Sequence, residues 1–255
     1  MRRDNPLITD STYHIYNRGI EKRIIFPNNS FYSHFLEVIA HSLKYSVPYS
    51  VISTRIERAT SPAAREAIIE DLETKIIKPA VDIISFCLMP NHFHFVFKQL
   101  NEDGITNFMR RICTSYTKYF NKRQDRVGGL FQGRFKSVKV ESDEQLIHVT
   151  RYQHINPQKL GLDSVNQLIE YPWSSLNTYL ARRDFYSFLN TDLVLGEFGS
   201  REEYKKFTEA EIDQFGVMRL KDVAIDDDFG WFRKFEELDK NQKAELVEQY
   251  KEMAY

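Results

Sequence analysis

Met89-Pro90-Asn91-His92-Phe93-His94-Phe95-Val96-Phe97 is the stretch that decides how the chain folds. Ahead of it, Val81-Asp82-Ile83-Ile84-Ser85-Phe86-Cys87-Leu88 is a short apolar run rich in β-branched and aromatic residues. Pro90-Asn91 supplies turn chemistry between the two runs, so the pattern predicts adjacent strands. Strand side chains alternate faces with a period of two. His92 and His94 therefore share one side of a buried sheet, and Phe93 and Phe95 go to the other.

Two neutral imidazoles at that spacing can chelate a divalent cation, but two ligands do not complete a site. A His-x-His on a strand serves equally well as a hydrogen-bonded structural pair. The choice between the two depends on a third donor from elsewhere in the chain.

With 255 residues the chain is long enough for one large domain with additions. It contains no apolar run of about 18 residues, and its first residues lead into no apolar signal core, so the expectation is a soluble cytoplasmic protein without a membrane partner. Cys87 and Cys113, the only cysteines, fall in a predicted strand and a predicted helix. That argues for packing roles and against a disulfide framework or a cysteine zinc site.

A formal net charge of -1 conceals an asymmetry. Between residues 105 and 140, Arg110, Arg111, Lys118, Lys122, Arg123, Arg126, Arg134, Lys136 and Lys139 are opposed only by Asp125, whereas the chain from Gly196 onward is acidic. The basic block is interleaved with Phe108, Tyr116, Tyr119, Phe120, Phe131 and Phe135. Such a block suits a polyanion with stackable bases, or else a solvated helix face with its aromatics turned into a core.

In chain order, residues 11–17 read as a first strand. A helix opens at Ser30, with Phe31, His34, Phe35, Val38, Ile39 and Leu43 at helical spacing. Residues 49–54 read as a further strand. Residues 55–79 are a charged helical excursion, with Pro62 where a first-turn proline is tolerated. After the paired strands, residues 104–123 form an amphipathic helix. Residues 130–140 then form a strand or hairpin arm with Arg134, Lys136 and Lys139 on its polar side. This order predicts an α+β fold: a ferredoxin-like split βαβ antiparallel sheet with helices packed on one face. The core domain is expected over residues 1–180, including the excursion, followed by a mainly helical acidic extension over 181–255.

The next helix spans residues 143–155, with Ser142 as N-cap and Gln145 in capping-box spacing. At 100° per residue, Gln145, His148, Tyr152 and Asn156 fall on one narrow stripe. If this helix crosses the sheet face bearing His92 and His94, Asn156 offers a carbonyl oxygen as the missing ligand and Tyr152 a phenol beside it. Pro157 is expected to end the helix there.

Three motifs together carry a resemblance: Met89-Pro90-Asn91-His92-Phe93-His94, Gly129-Leu130-Phe131-Gln132-Gly133-Arg134-Phe135-Lys136, and Arg151-Tyr152-Gln153-His154-Ile155-Asn156-Pro157. Over residues 11–179 the chain resembles the single-tyrosine HUH transposases (Y1 transposases, IS200/IS605-like), and most of all their REP-associated branch. Tyr171-Pro172-Trp173-Ser174-Ser175 is similar to the segment that follows the catalytic helix in that branch. The resemblance implies a metal site formed by His92, His94 and Asn156, with Tyr152 as nucleophile. Insertion-sequence relatives often carry glutamine at the last ligand position, and the asparagine fits the REP-associated branch. His148 is a candidate for a supporting role near the tyrosine.

The implied function is a single-stranded DNA endonuclease and strand transferase that cuts beside hairpins, such as REP elements, in DNA transposition or recombination. A phenol with a reference pKa near 10 needs a cation to offset the charge that develops on attack. Imidazoles plus an amide oxygen suit Mg2+ or Mn2+. Candidate phosphate contacts are Arg110, Arg111, Lys118, Lys122, Arg123, Arg134 and Lys136. The expected partner is single-stranded DNA with hairpin or inverted-repeat structure, and the expected assembly is a monomer or homodimer. One alternative is a non-catalytic, sequence- or hairpin-specific DNA-binding descendant of such a transposase. Another is a metal enzyme acting on a small substrate.

Overall fold

The computed structural model describes residues 6–180 and 186–212. The elements run β1 (Thr12–Arg18), α1 (Asn29–Lys44), α2 (Tyr49–Arg58), α3 (Pro62–Glu73), β2 (Val81–Met89), β3 (His92–Gln99), α4 (Gly104–Arg123), β4 (Lys136–Val140) and α5 (Asp143–Ile155). A 3-10 turn (Asn156–Leu160) follows, then α6 (Val165–Glu170), α7 (Leu176–Leu180), α8 (Asp192–Leu195) and α9 (Arg201–Ile212). The sheet order is β2-β3-β1-β4 with every pairing antiparallel. This is the expected α+β arrangement, with α1 and α4 in the crossover positions. Among the described residues no helix is long and apolar enough to cross a membrane.

The hairpin β2-β3 closes with Met89 opposite His92, and its turn is clasped from outside. Backbone N–H groups of Ile25 and Phe26 donate to the Pro90 carbonyl at 2.8 and 3.0 Å. Phe93, Phe95 and Phe97 are fully buried on one face. Phe35 of α1 packs against the first two at 5.6 and 6.3 Å, and Phe108 of α4 meets Phe97 at 5.6 Å between ring centroids. The helices expected on one face are thus α1 and α4. The opposite face, which carries His92 and His94, is crossed by α5: Tyr152 lies against His94, and Gln153 accepts a hydrogen bond from Ser85 of β2 at 2.8 Å.

The outer edge of β2 is not left open. Leu88 donates to the Trp173 carbonyl at 2.8 Å, Ser175 donates to Phe86 at 3.0 Å, and Asn190 donates to Ile83 at 2.8 Å. The segment Tyr171-Pro172-Trp173-Ser174-Ser175 therefore caps a strand that would otherwise offer its backbone to another chain.

Several expectations need correction. Residues 49–54 are helical, within α2, not a strand. Pro48 stands at the N-cap, and Ile52 buries into a small cluster with Tyr45 and Leu72. The first long helix starts at Asn29, capped by the Asn28 side chain, rather than at Ser30. The last strand covers only Lys136–Val140, because residues 130–135 loop past the end of β1 through hydrogen bonds of Ile20 to Leu130 and Gln132 to Arg18. Arg134 is off the strand. Lys136 and Lys139, three residues apart, project to opposite faces, opposite Tyr16 and Tyr13 respectively. Pro157 does not stop the winding: it sits in the first turn of the 3-10 segment, which ends at Gly161 with φ 82°.

Helices α8 and α9, beyond the boundary expected at 180, contribute Val194 and Tyr204 to the same core as the sheet. The acidic helical stretch expected over 232–255 lies outside the described residues. Tyr204 of α9 reaches His154 of α5, with its hydroxyl 2.7 Å from Nδ1, while His154 Nε2 lies 2.7 Å from Ser175 Oγ. One proton arrangement satisfies all three groups. The Tyr204 hydroxyl donates to Nδ1, Nε2–H donates to Ser175, and Ser175 donates to the Phe86 carbonyl at 3.1 Å. Complete burial pushes the His154 pKa from 6.5 down to about 3, so the folded ring is neutral.

This depression gives stability a definite pH dependence. Between about 6.5 and about 3 the unfolded chain binds a proton at His154 that the folded chain refuses. Stability is therefore fully present above that range and falls with acidification, at up to about 1.4 kcal/mol per pH unit. Urea unfolding at about pH 7 and about pH 5 measures the slope. His154→Gln is expected to be less stable than the parent at the higher pH but to show a visibly flatter pH dependence.

Candidate active site

His92 and His94 are 7% and 3% exposed, and their ring centroids lie 5.0 Å apart with planes at 88°. Each ring is held through Nδ1. His92 Nδ1 is 2.6 Å from Asn91 Oδ1, and Asn91 donates its amide N–H to the Lys22 carbonyl at 3.4 Å, which turns the carbonyl end toward the imidazole. A carbonyl can only accept, so His92 carries its proton on Nδ1. His94 Nδ1 is 3.0 Å from Nε2 of His14 on β1, and those rings stack with centroids 5.2 Å apart. In both imidazoles coordination of an ion would fall to Nε2.

From the opposite side α5 brings the Tyr152 ring edge-on to His94, with centroids 6.1 Å apart and an interplanar angle of 86°. Ser142 caps the helix through the Gln145 amide at 3.1 Å, and the Gln145 side chain accepts from the Glu141 amide at 2.6 Å. This fixes the start of α5, and the bond from Ser85 to Gln153 pins its middle. Asn156, one turn after Tyr152, keeps helical φ/ψ and is 1% exposed. Its side-chain oxygen and nitrogen are buried without a hydrogen-bond partner. Leaving an amide so costs about 1–3 kcal/mol. A cation on Oδ1 would satisfy the oxygen, so the donor chemistry fits a hard divalent ion. Among the described residues no group of three or more His, Cys, Asp or Glu could hold a metal.

Two cations stand beside these rings. Lys159 Nζ lies 5.9 Å from the Tyr152 centroid, and Lys136 Nζ lies 5.8 Å from that of Tyr16, which stacks on His94 at 6.0 Å. His148 makes a different kind of contact: Nδ1 meets the Arg151 guanidinium at 2.9 Å, and its ring lies edge-on to Phe207 of α9. Arg151 also donates to the Phe207 carbonyl at 3.1 Å and covers the Phe207 ring. His148 thus helps tie α5 to α9.

The basic block splits in two. Lys136 shares the imidazole face and Arg134 is exposed on the loop before it, whereas α4 lies behind the sheet with its charges turned away. Lys118 is exposed there, Arg110 donates to Asn107 at 3.1 Å, Lys122 pairs with Glu57 at 2.7 Å, and Arg123 covers the Tyr119 ring. Arg111 is a correction: its half-buried guanidinium donates to the carbonyls of Ser42, Tyr45 and Val47, tying off the end of α1 instead of facing a ligand. Tyr116, a rival nucleophile by residue type, is buried, donates to the Ile25 carbonyl, and has its pKa pushed far up by that burial.

Sequence reasoning missed His14, Tyr16 and Lys159. The first two were detectable in principle, since His14 and Tyr16 alternate on β1 as His92 and His94 do on β3. Lys159 was hidden because Pro157 was expected to end the helix.

No curated protein matches the chain. Among solved structures, that of a REP-associated tyrosine transposase bound to a REP hairpin aligns with 17% identity and a TM-score of 0.43, covering 74% of this chain and 88% of the other. Residues 40–156 match the family model described as "Transposase IS200 like". That segment, a little under half of the chain, contains both imidazoles of β3, the tyrosine of α5 and the amide that follows it, and it is similar to the IS200-like transposases.

Proposed function

We propose that this chain cleaves and rejoins single-stranded DNA beside a hairpin, with Tyr152 as the nucleophile and a divalent metal, Mg2+ or Mn2+, held by His92, His94 and Asn156. The observation that supports the reading is the approach of α5 to the sheet face that bears the imidazoles. An edge-on tyrosine meets the second imidazole at 6.1 Å, and an unsatisfied buried amide stands one turn further along the same helix.

The chemistry is phosphoryl transfer. Tyr152 Oη attacks phosphorus, the new O–P bond forms, and the bond from phosphorus to the 3′ oxygen breaks. The products are a 5′-phosphotyrosine and a free 3′-hydroxyl, with the phenolic proton passing to solvent and the leaving 3′ oxygen taking one proton from solvent. Attack by a second 3′-hydroxyl reverses the step and restores Tyr152. When bound, the metal supplies charge to the scissile phosphate. The chain supplies the rest. Gln153 and the capped start of α5 hold the phenol in position, Asn91 and His14 orient the imidazoles, and Lys159 and Lys136 add positive charge around the phosphate path. The family resemblance supplies both the single strand and the hairpin.

Tyr152→Phe is expected to abolish a covalent adduct on a labelled hairpin oligonucleotide while retaining binding. Asn156→Ala is expected to lower adduct formation by at least about a hundredfold, as EDTA does for the parent protein. Binding without any adduct from the parent in Mn2+ would mark a non-catalytic DNA-binding protein.

The split of the basic block yields a second expectation. Lys136→Gln and Lys159→Gln should each weaken single-strand binding and reduce the slope of log affinity against log salt by about 0.7. Arg111→Gln should leave that slope unchanged and instead lower thermal stability, because three carbonyls lose their donor. Filter binding across a salt series and thermal melts distinguish the two classes.

A further inference from the structure

The contact between His14 and His94 joins two imidazoles, and one bond between them holds one proton. His14 Nε2 and His94 Nδ1 are 3.0 Å apart, both rings are buried, and antiparallel pairing of β1 with β3 fixes the stack. Either ring can donate in principle, and the two arrangements differ in what they leave on the far side of His94. If His14 donates, the neutral His94 ring carries its own proton on Nε2 and cannot coordinate an ion there. If His94 donates, its Nε2 lone pair is exposed to the site.

We infer that His14 is the positioning residue that holds His94 in its metal-binding tautomer, accepting the Nδ1–H of His94 at its own Nε2. The inference rests on the proposed role of His94 as a ligand, and it adds a third imidazole that the ligand set does not include. It makes the two ligand rings equivalent in chemistry though not in device. His92 has its Nδ1 proton fixed by the Asn91 carbonyl, whose orientation the Lys22 carbonyl sets, and His94 has its Nδ1 proton fixed by His14. Ligand histidines usually donate to a carboxylate, a carbonyl or water. A neutral imidazole in that position adds no negative charge to the ligand set. Tyr16 keeps the pair aligned, since its ring stacks on His94 at 6.0 Å and meets His14 at 5.3 Å.

The test has two arms on the full chain. In the first, long-range 15N–1H correlation spectra of the metal-free protein at mildly alkaline pH report which nitrogen of each ring is protonated. The expected result is protonated Nδ1 on His92, His94 and His14 alike, and a proton on Nε2 of His94 would overturn the inference. In the second, Mn2+ binding is measured by electron paramagnetic resonance without DNA. His14→Phe keeps a ring in the stack but cannot accept, and is expected to bind Mn2+ about tenfold more weakly than the parent. His14→Gln places a carbonyl oxygen near the position of Nε2 and is expected to restore most of that loss, which a purely structural role for the ring would not do. In both variants the His92 spectrum should stay unchanged, which serves as the check on folding. Equal Mn2+ affinity in the parent and His14→Phe would sink the role of His14 while leaving the metal site standing. Absence of Mn2+ binding in the parent, both alone and with a hairpin oligonucleotide present, would sink the metal site itself, and the tautomer spectra would still decide which ring donates.

Discussion

The whole arrangement depends on the antiparallel register of β3 between β2 and β1. With Tyr16 opposite His94 and Met89 opposite His92, every second residue of three strands is committed to one face. A slip of one residue would send both imidazoles into the phenylalanine core and expose Phe93, Phe95 and Phe97 to α5. The penalty for that slip is what makes the register firm. Three fully buried aromatic rings on one face and a polar cluster on the other leave no degenerate pairing, and the clasp of Ile25 and Phe26 on the Pro90 carbonyl fixes the turn from which the register is counted.

On that platform, α5 is held from both sides. Its inner surface meets the sheet through Gln153 and Tyr152, and its outer surface meets α9 through His154 with Tyr204 and Arg151 with Phe207. A nucleophile on a helix is only as well placed as the helix, and a ring-to-ring approach of about six ångströms tolerates little sliding. Residues beyond the matched family segment therefore bear on the site without entering it. The capped edge of β2 serves the same end, since Ser175 both pairs with Phe86 and receives His154.

The fold was legible in the sequence because its signals were local. Alternation in residues 81–97, helical spacing in 104–123 and the Ser142 cap each placed an element within a residue or two. What failed was decided by tertiary context. Residues 49–54 have strand composition but wind into a helix that buries Ile52 against Tyr45 and Leu72, and Pro157 stops an α-helix without stopping a tighter turn. Period-two and period-3.6 arithmetic placed His92 with His94 and Tyr152 with Asn156, and the resemblance implied their roles. Arg111 could not be read correctly, because whether an arginine faces solvent or the carbonyl end of a neighbouring helix depends on packing that composition does not record. The alternation of His14 with Tyr16 is visible on β1, but a single histidine there becomes part of the site only through a pairing eighty residues away.

The choice of an amide over a carboxylate as third donor bears on how such a site would work. Two neutral imidazoles and a neutral carbonyl oxygen leave the full charge of a divalent ion uncompensated by the protein, and Lys136 and Lys159 add to the positive field. A ligand set of that kind binds a hard cation weakly on its own, since affinity for such ions rises with the number of anionic oxygens. The missing negative charge is what a phosphodiester supplies. Metal and DNA would then bind with mutual reinforcement, each raising the affinity of the other by the same factor. A carboxylate at position 156 would neutralise part of the field, hold the ion more firmly without substrate, and weaken its pull on the scissile phosphate. In the proposed site a neutral set would keep the strongest electrostatic interaction for the moment at which negative charge builds on the phosphate oxygens, which is where it would contribute to rate.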